Sequence, residues 1–466
     1  MKFTTLLLFA FLFSSISSVA NDLRISKVQF NNKKAVVSFN LSWKNSWKNK
    51  KNYDAAWVFV KIIDASGKTF HGKLQNSKHR IKGIQKGSID ISKDRVGAFV
   101  KLSEYYRGNV TWEVRLALDK SALPKSNKSF TVKVFGLEMV YIPKGNFYLG
   151  ATETKAVNYA SFYESDATGN PVNPFLINSE NQEIKVSPTQ GNLFYKIGKS
   201  PYRGDAKGTI PSTFPKGHAA FYIMKYETSQ GFYADFLNSI PKNLAYRLSP
   251  HTVKDYYKKK GGIRFSNTIY KADTYNRPAN FITWDDGAVL ADWAGLRPMT
   301  ELEFTKAARG TNRPIEHEFP WGTNTAKNLK RKVETNDELL FTEGILEKNL
   351  NDTNRELYGA SYYWVMDLAG SLWEKCVTVG HPIGRNFRGT HGDGILSSDG
   401  YSTNADWPKG IKEEGGYGYR GGGYYHHGMK VGDYNPHSPI SYRPYGSWSG
   451  GKKSIAYSQR YVRSAE

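Results

Sequence analysis

Over residues 22–135 the chain alternates apolar and polar positions in short runs. Val28 and Phe30 form one, Ala35, Val37, Phe39 and Leu41 a second, and Val110, Trp112, Val114 and Leu116 a third. A period of two places each apolar set on one face, so each run predicts a half-buried strand. Ala55 to Ile63 is apolar almost throughout, which predicts a central strand covered on both faces. Thr131 to Phe135 closes the set, and turn signals such as Asn31-Asn32 and Ser66-Gly67 separate the runs. The expected unit is an antiparallel β-sandwich of immunoglobulin or fibronectin type over residues 21–135. Within it, Trp43 to Lys51 reads as a solvated loop with one packed indole.

From Met139 the periodicity changes. Val140 to Gly150 predicts a strand pair hinged on Pro143-Lys144-Gly145. Phe221 to Thr228 reads as a strand running into a helix over Gln230 to Asn238, capped by Thr228 or Ser229, with Phe232, Phe236 and Leu237 on one face. A second helix is expected over Trp284 to Trp293, stopped by Gly295. A third starts after Thr300, where Glu303 completes a capping box, and ends in the basic turn and glycine of Arg309-Gly310. Residues 151–220 and 381–419 are rich in Asn, Gly, Ser, Tyr and Pro and read as long loops.

Composition narrows the class. With 39% hydrophobic and 14% aromatic residues the 466-residue chain has ample material for buried cores, and 43 glycines, 30 tyrosines and 11 tryptophans point to a loop-rich β or α+β protein rather than a helical bundle. Residues 1–20 read as a signal peptide: Lys2, an apolar stretch from Leu6 to Phe13, and Ser18-Val19-Ala20 as a small-x-small cleavage site. The apolar stretch is too short to span a bilayer, so no transmembrane segment is expected, and Asn21 stands where a lipid anchor would need cysteine. An exported protein, periplasmic or secreted to the cell surface, follows. The net charge of +23 implies acidic partners, an exported protein or an acidic glycan, while the scattered lysines argue against nucleic acid. One cysteine, Cys376, excludes an intrachain disulfide. It reads as a small buried hydrophobe with no neighbouring base.

Six ordered segments then carry a resemblance. Met139 to Gly150, Tyr226-Glu227-Thr228, Leu296 to Gly310, Phe319-Pro320-Trp321-Gly322, Met366 to Glu374 and Arg420-Gly421-Gly422-Gly423-Tyr424 resemble the motifs of the formylglycine-generating, sulfatase-modifying factor family. The resemblance implies a domain of C-type-lectin-like fold over residues 137–466, following the sandwich. In that family two cysteines after the Gly-Gly-Ser motif bind copper, polarisable thiolates suiting Cu(I). Counted onto this sequence they fall at His426 and Val431, so copper is not expected. The family also binds calcium at its Gly-Asn-x-Trp-Glu turn, which places a calcium site at Gly370, Ser371 and Glu374, with serine replacing the asparagine.

Tyr424, Tyr425, His426, His427 and Trp407 are the candidate binding residues, because aromatic rings with polar tips serve sugar and peptide recognition. His381, His391 and His437 lie in nearby loops. Three functions stay open. The first is an exported non-catalytic or divergent binding or scaffold module. The second is a formylglycine-generating or other maturation oxidase acting on exported proteins, and the third is a carbohydrate-binding lectin-like protein, although the Glu-Pro-Asn sugar signature is absent.

Overall fold

The protein is described by a computed structural model that covers residues 18–20, 23–124, 130–259, 261–329, 351, 353–410, 415–423 and 438–465. The signal-peptide expectation therefore falls almost wholly outside the described residues. Its last part, Ser18–Ala20, pairs antiparallel with Leu23–Ile25.

The first unit is a sandwich of antiparallel strands. Leu23–Asn31, Val36–Lys48, Tyr106–Ala117 and Arg80–Gly83 make one sheet; Asp54–Asp64, Ala98–Leu102, Gly87–Ile91 and the first part of Phe130–Ile142 belong to the other. Between them Leu41, Trp43 and Val114 meet Val58, Val60 and Val100 in a dry core. The strand Asp54–Asp64 shows why its sequence is apolar throughout. Ala56, Val58, Val60 and Ile62 point into the sandwich, whereas Ala55, Trp57 and Phe59 point the other way, onto the helix Trp284–Trp293. Burying a side chain of this size stabilises the fold by ~1.5–3 kcal/mol each, so this strand serves two cores at once. Trp43 and Trp47 are both packed rather than one of them solvated: they lie in the strand Val36–Lys48, and Trp43 Nε1 donates to buried Asp54 Oδ2 at 2.9 Å.

Phe130–Ile142 runs straight through the expected boundary between the two units. Its residues 130–140 pair with Asp54–Asp64, and Met139–Ile142 pair with Phe221–Met224. Phe221–Met224 pairs in turn with Tyr461–Ser464, and this last strand with Arg297–Pro298. One eight-stranded sheet thus joins the units. Arg463 fastens the joint: Nη2 donates to Asp94 at 2.6 Å and the guanidinium lies 4.6 Å from the Trp57 ring.

The helices stand where the periodicity puts them: Gln230–Leu237 capped by Ser229, Trp284–Trp293 capped by Thr283, and Glu301–Arg309 capped by Thr300. Gly310 ends the last with φ 72°, a conformation that a Cβ disfavours. Two expectations change. Phe147–Leu149 does not fold back on Val140–Ile142 but pairs with Phe175–Ile177, and the stretch 151–220 holds a five-stranded sheet of very short strands rather than a loop. Strands of two or three residues leave too little periodicity to read. The class is α+β.

Candidate functional site

Segments about forty residues apart in sequence converge on one three-stranded sheet. Trp373–Val377 pairs antiparallel with Tyr417–Arg420, setting Glu374 opposite Arg420, and parallel with Tyr457–Ser458. Gly370 N donates to Gly421 O at 3.2 Å, closing the turn before the strand onto the turn after it. Gly421 has φ 85°, and a Cβ there would sit 2.8 Å from Leu368 O, so only glycine fits.

Beneath this sheet lie two buried ionic centres. Glu301, at the start of its helix, accepts from Arg443 at 2.6 and 3.0 Å, Arg420 at 3.2 Å, Thr378 Oγ1 at 2.9 Å and Val379 N at 3.0 Å. Burial alone would raise its pKa, but Arg443 and Arg420 outweigh it and hold the carboxyl below its ordinary value. Glu374 is gripped by Arg460 through two 2.6 Å bonds. Arg460 also donates to Met224 O and Lys225 O. Beside this pair Glu227 accepts from Ser371 Oγ and from Leu372 N. Glu374 holds the charge of the two acids because the guanidinium takes both its oxygens. Glu227 carries the proton, its pKa pushed up to about 8 by burial and by the charge of Glu374.

The residues expected to hold calcium are thus otherwise engaged. Glu374 already has its cation in Arg460, Ser371 is a donor to Glu227, and an ion at Glu374 would have to displace or repel a buried guanidinium. The donor set at Gly370, Ser371 and Glu374 does not fit calcium. Among the described residues no group of three or more His, Cys, Asp or Glu side chains gathers as a ligand set.

Cys376 lies on the same central strand, 1% exposed, among core side chains including Met299 and Phe304. Burial pushes its thiol well above the ordinary value, which disfavours the reactive thiolate. Trp407 is 3% exposed, with Nε1 donating to Thr390 O, so its ring supports the fold and offers no surface. His391 Nε2 accepts from Ser464 N and His381 Nδ1 from Ile383 N, each engaged locally. Tyr424, Tyr425, His426, His427, Val431 and His437 lie outside the described residues.

The structure adds an aromatic face that the sequence reading missed. Tyr202, Tyr445, Trp448 and Tyr457 line it, with Trp373 and Tyr419 below. Tyr445 meets Trp373 edge-on at 5.3 Å, and Tyr202, 44% exposed, lies 5.6 Å from Trp448. Gly423 sits against Trp373, where a Cβ would come within 2.8 Å of the indole. Below the face the ammonium of Lys375 lies about 5.5 Å from the rings of both Tyr419 and Tyr457 and donates to Ile282 O. Burial lowers its pKa to about 7. The run Tyr445-Gly446-Ser447-Trp448 was the available signal, but Tyr202 comes from a distant loop and only folding brings it there.

A model of the sulfatase-modifying factor enzyme 1-like domain matches residues 124–447. A formylglycine-generating enzyme of Thermomonospora curvata is 27% identical over 105 residues, a stretch that makes up 22% of this chain and 34% of that enzyme. The match spans about a third of that relative's length.

Proposed function

The chain belongs to the sulfatase-modifying factor family, and from that premise we propose that it is an exported, non-catalytic member that binds a partner at the periplasm or cell surface. One observation carries the reading: the only cysteine of the chain is Cys376, sealed in the core strand Trp373–Val377. The family's oxidation of a substrate cysteine uses a copper ion held by two thiolates. Here the positions that follow Gly421-Gly422-Gly423 carry His426 and Val431, and the one thiol present is buried and held protonated. The donors present therefore do not fit a thiolate-bound Cu(I), which favours soft sulfur ligands.

What this chain presents instead is the Glu301 and Glu374 ion pairs, the glycine turn and the aromatic face above them. Half-buried tyrosine and tryptophan rings with polar tips suit recognition of an exported polypeptide without any bond being broken. Titration of the purified protein with Cu(I) against a competing chelator tests the reading. No stoichiometric transfer of Cu(I) to the protein is expected. Tight one-to-one uptake with a thiolate-to-copper absorption band would overturn it.

A further inference from the structure

A second site lies between the sandwich and the second unit. There a cleft of about 1670 Å³ is walled by the turn after Asp54–Asp64, the helix Lys242–Leu248, the hairpin of Ile263–Ser266 and Ile269–Ala272, and residues 394–401. Clefts that hold drug-sized ligands measure roughly 300–1,000 Å³, so this one suits a longer molecule. Two large rings stand in it unburied: Tyr246 is 61% and Phe265 46% exposed. Phe265 is propped against Tyr270 at 4.7 Å, which fixes the plane it presents.

Charge selects among ligands. Of the charged residues lining the cleft five are cations and two are carboxylates, Asp235 and Asp399. Lys68, Lys242 and Lys271 are exposed, and Arg247 is pinned by donating to Gly400 O at 2.7 Å while stacking on Tyr401. The whole chain carries the same sign, +23. A neutral ligand would leave this excess unmatched.

Polypeptide and polysaccharide can also be separated. A peptide commonly binds by adding a strand to an open sheet edge. The outer edge of Ile269–Ala272 is closed at its centre by the Asn238 amide, which donates to Tyr270 O and accepts from Tyr270 N, both at 2.8 Å. Two exposed rings on one wall, Tyr246 and Phe265, packed against His251 at 5.8 and 5.7 Å, with lysines at the rim and hydroxyls from Ser397 and Ser398, instead match pyranose faces that alternate with carboxylates.

We infer that this cleft binds an acidic polysaccharide, a polymer bearing carboxylates on pyranose rings. The site shares no residue with the aromatic face above Glu374 and stands whether or not the domain is catalytic.

Full-length protein would be tested by calorimetry against polygalacturonate, neutral dextran and polyglutamate at low and high salt. Polygalacturonate should bind, and more weakly as salt rises. The variant Lys68→Glu/Lys242→Glu/Lys271→Glu should weaken binding by about tenfold or more, equivalent to about 1.4 kcal/mol. Tyr246→Ala/Phe265→Ala should also weaken it, with a melting scan showing that the variant stays folded at the assay temperature. Absence of polygalacturonate binding, equal affinity in the charge-reversed variant, or polyglutamate binding as tightly as polygalacturonate would each overturn the assignment.

Discussion

Glu227 is the acid of the candidate site that keeps its proton at neutral pH. It is buried beside Glu374, with Arg460 committed to Glu374 and, among the described residues, Ser371 Oγ and Leu372 N directed at its own oxygens. Its folded pKa of about 8 stands above the ordinary 4.5, so between these values the native state holds a proton that the unfolded chain releases. Stability from this group is full below about pH 4.5 and is lost as pH rises through about 8. The slope it contributes is at most about 1.4 kcal/mol per pH unit. Glu227→Gln should therefore flatten the decline in unfolding free energy between pH 5 and 8, as read from urea denaturation at several pH values. An unchanged slope would place the proton elsewhere. None of this was legible beforehand, since Glu227 and Glu374 are far apart in sequence and a carboxyl's pKa depends on what folding brings to it. Cys376 was legible, because an isolated cysteine in an expected strand with no histidine or other base suited to activate it reads as a small buried hydrophobe, and it is buried.

Among the elements, the helix Glu301–Arg309 links sequence to site most directly. Thr300 Oγ1 accepts from Glu303 N while Glu303 Oε2 accepts from Thr300 N, and Arg297 clamps the same carboxylate at 2.6 and 2.9 Å. The cap thereby orients the first turn, from which Glu301 reaches Arg443 and Arg420. Thr300→Ala should cost about 1 kcal/mol, measurable as a lower denaturation midpoint with the m-value unchanged. A loss below a few tenths would mean that the tertiary clamp on Glu303 alone fixes the turn. The helices were legible because capping and 3.6-residue periodicity are local. The very short strands of 151–220 were not, because their pairing is dictated by partners distant in the chain.

At the scale of the whole molecule, two units read separately in sequence are tied by one sheet. Phe130–Ile142 belongs to both, and its last stretch, Met139–Ile142, finds Phe221–Met224 only because the chain returns from some eighty residues away. The change in periodicity near Met139 was visible, but the unbroken backbone across it was not. Trp407 misled for the converse reason: its position in a polar, glycine-rich stretch suggested a surface ring, whereas folding buries it under Thr390. The motifs of the second unit were legible as an ordered set, and the family they indicate is the one the chain belongs to. The cleft between the units was invisible, since its walls come from four separate stretches.

The central claim is that the family framework is retained without its cysteine-oxidising chemistry. It is tested most directly by incubating the purified protein with copper, oxygen and a peptide containing Cys-x-Pro-x-Arg and following the peptide by mass spectrometry. The account predicts an unmodified cysteine after many hours, because the chain's sole thiol lies buried in the core. Conversion of that cysteine to the aldehyde at a rate above the protein-free control would contradict it.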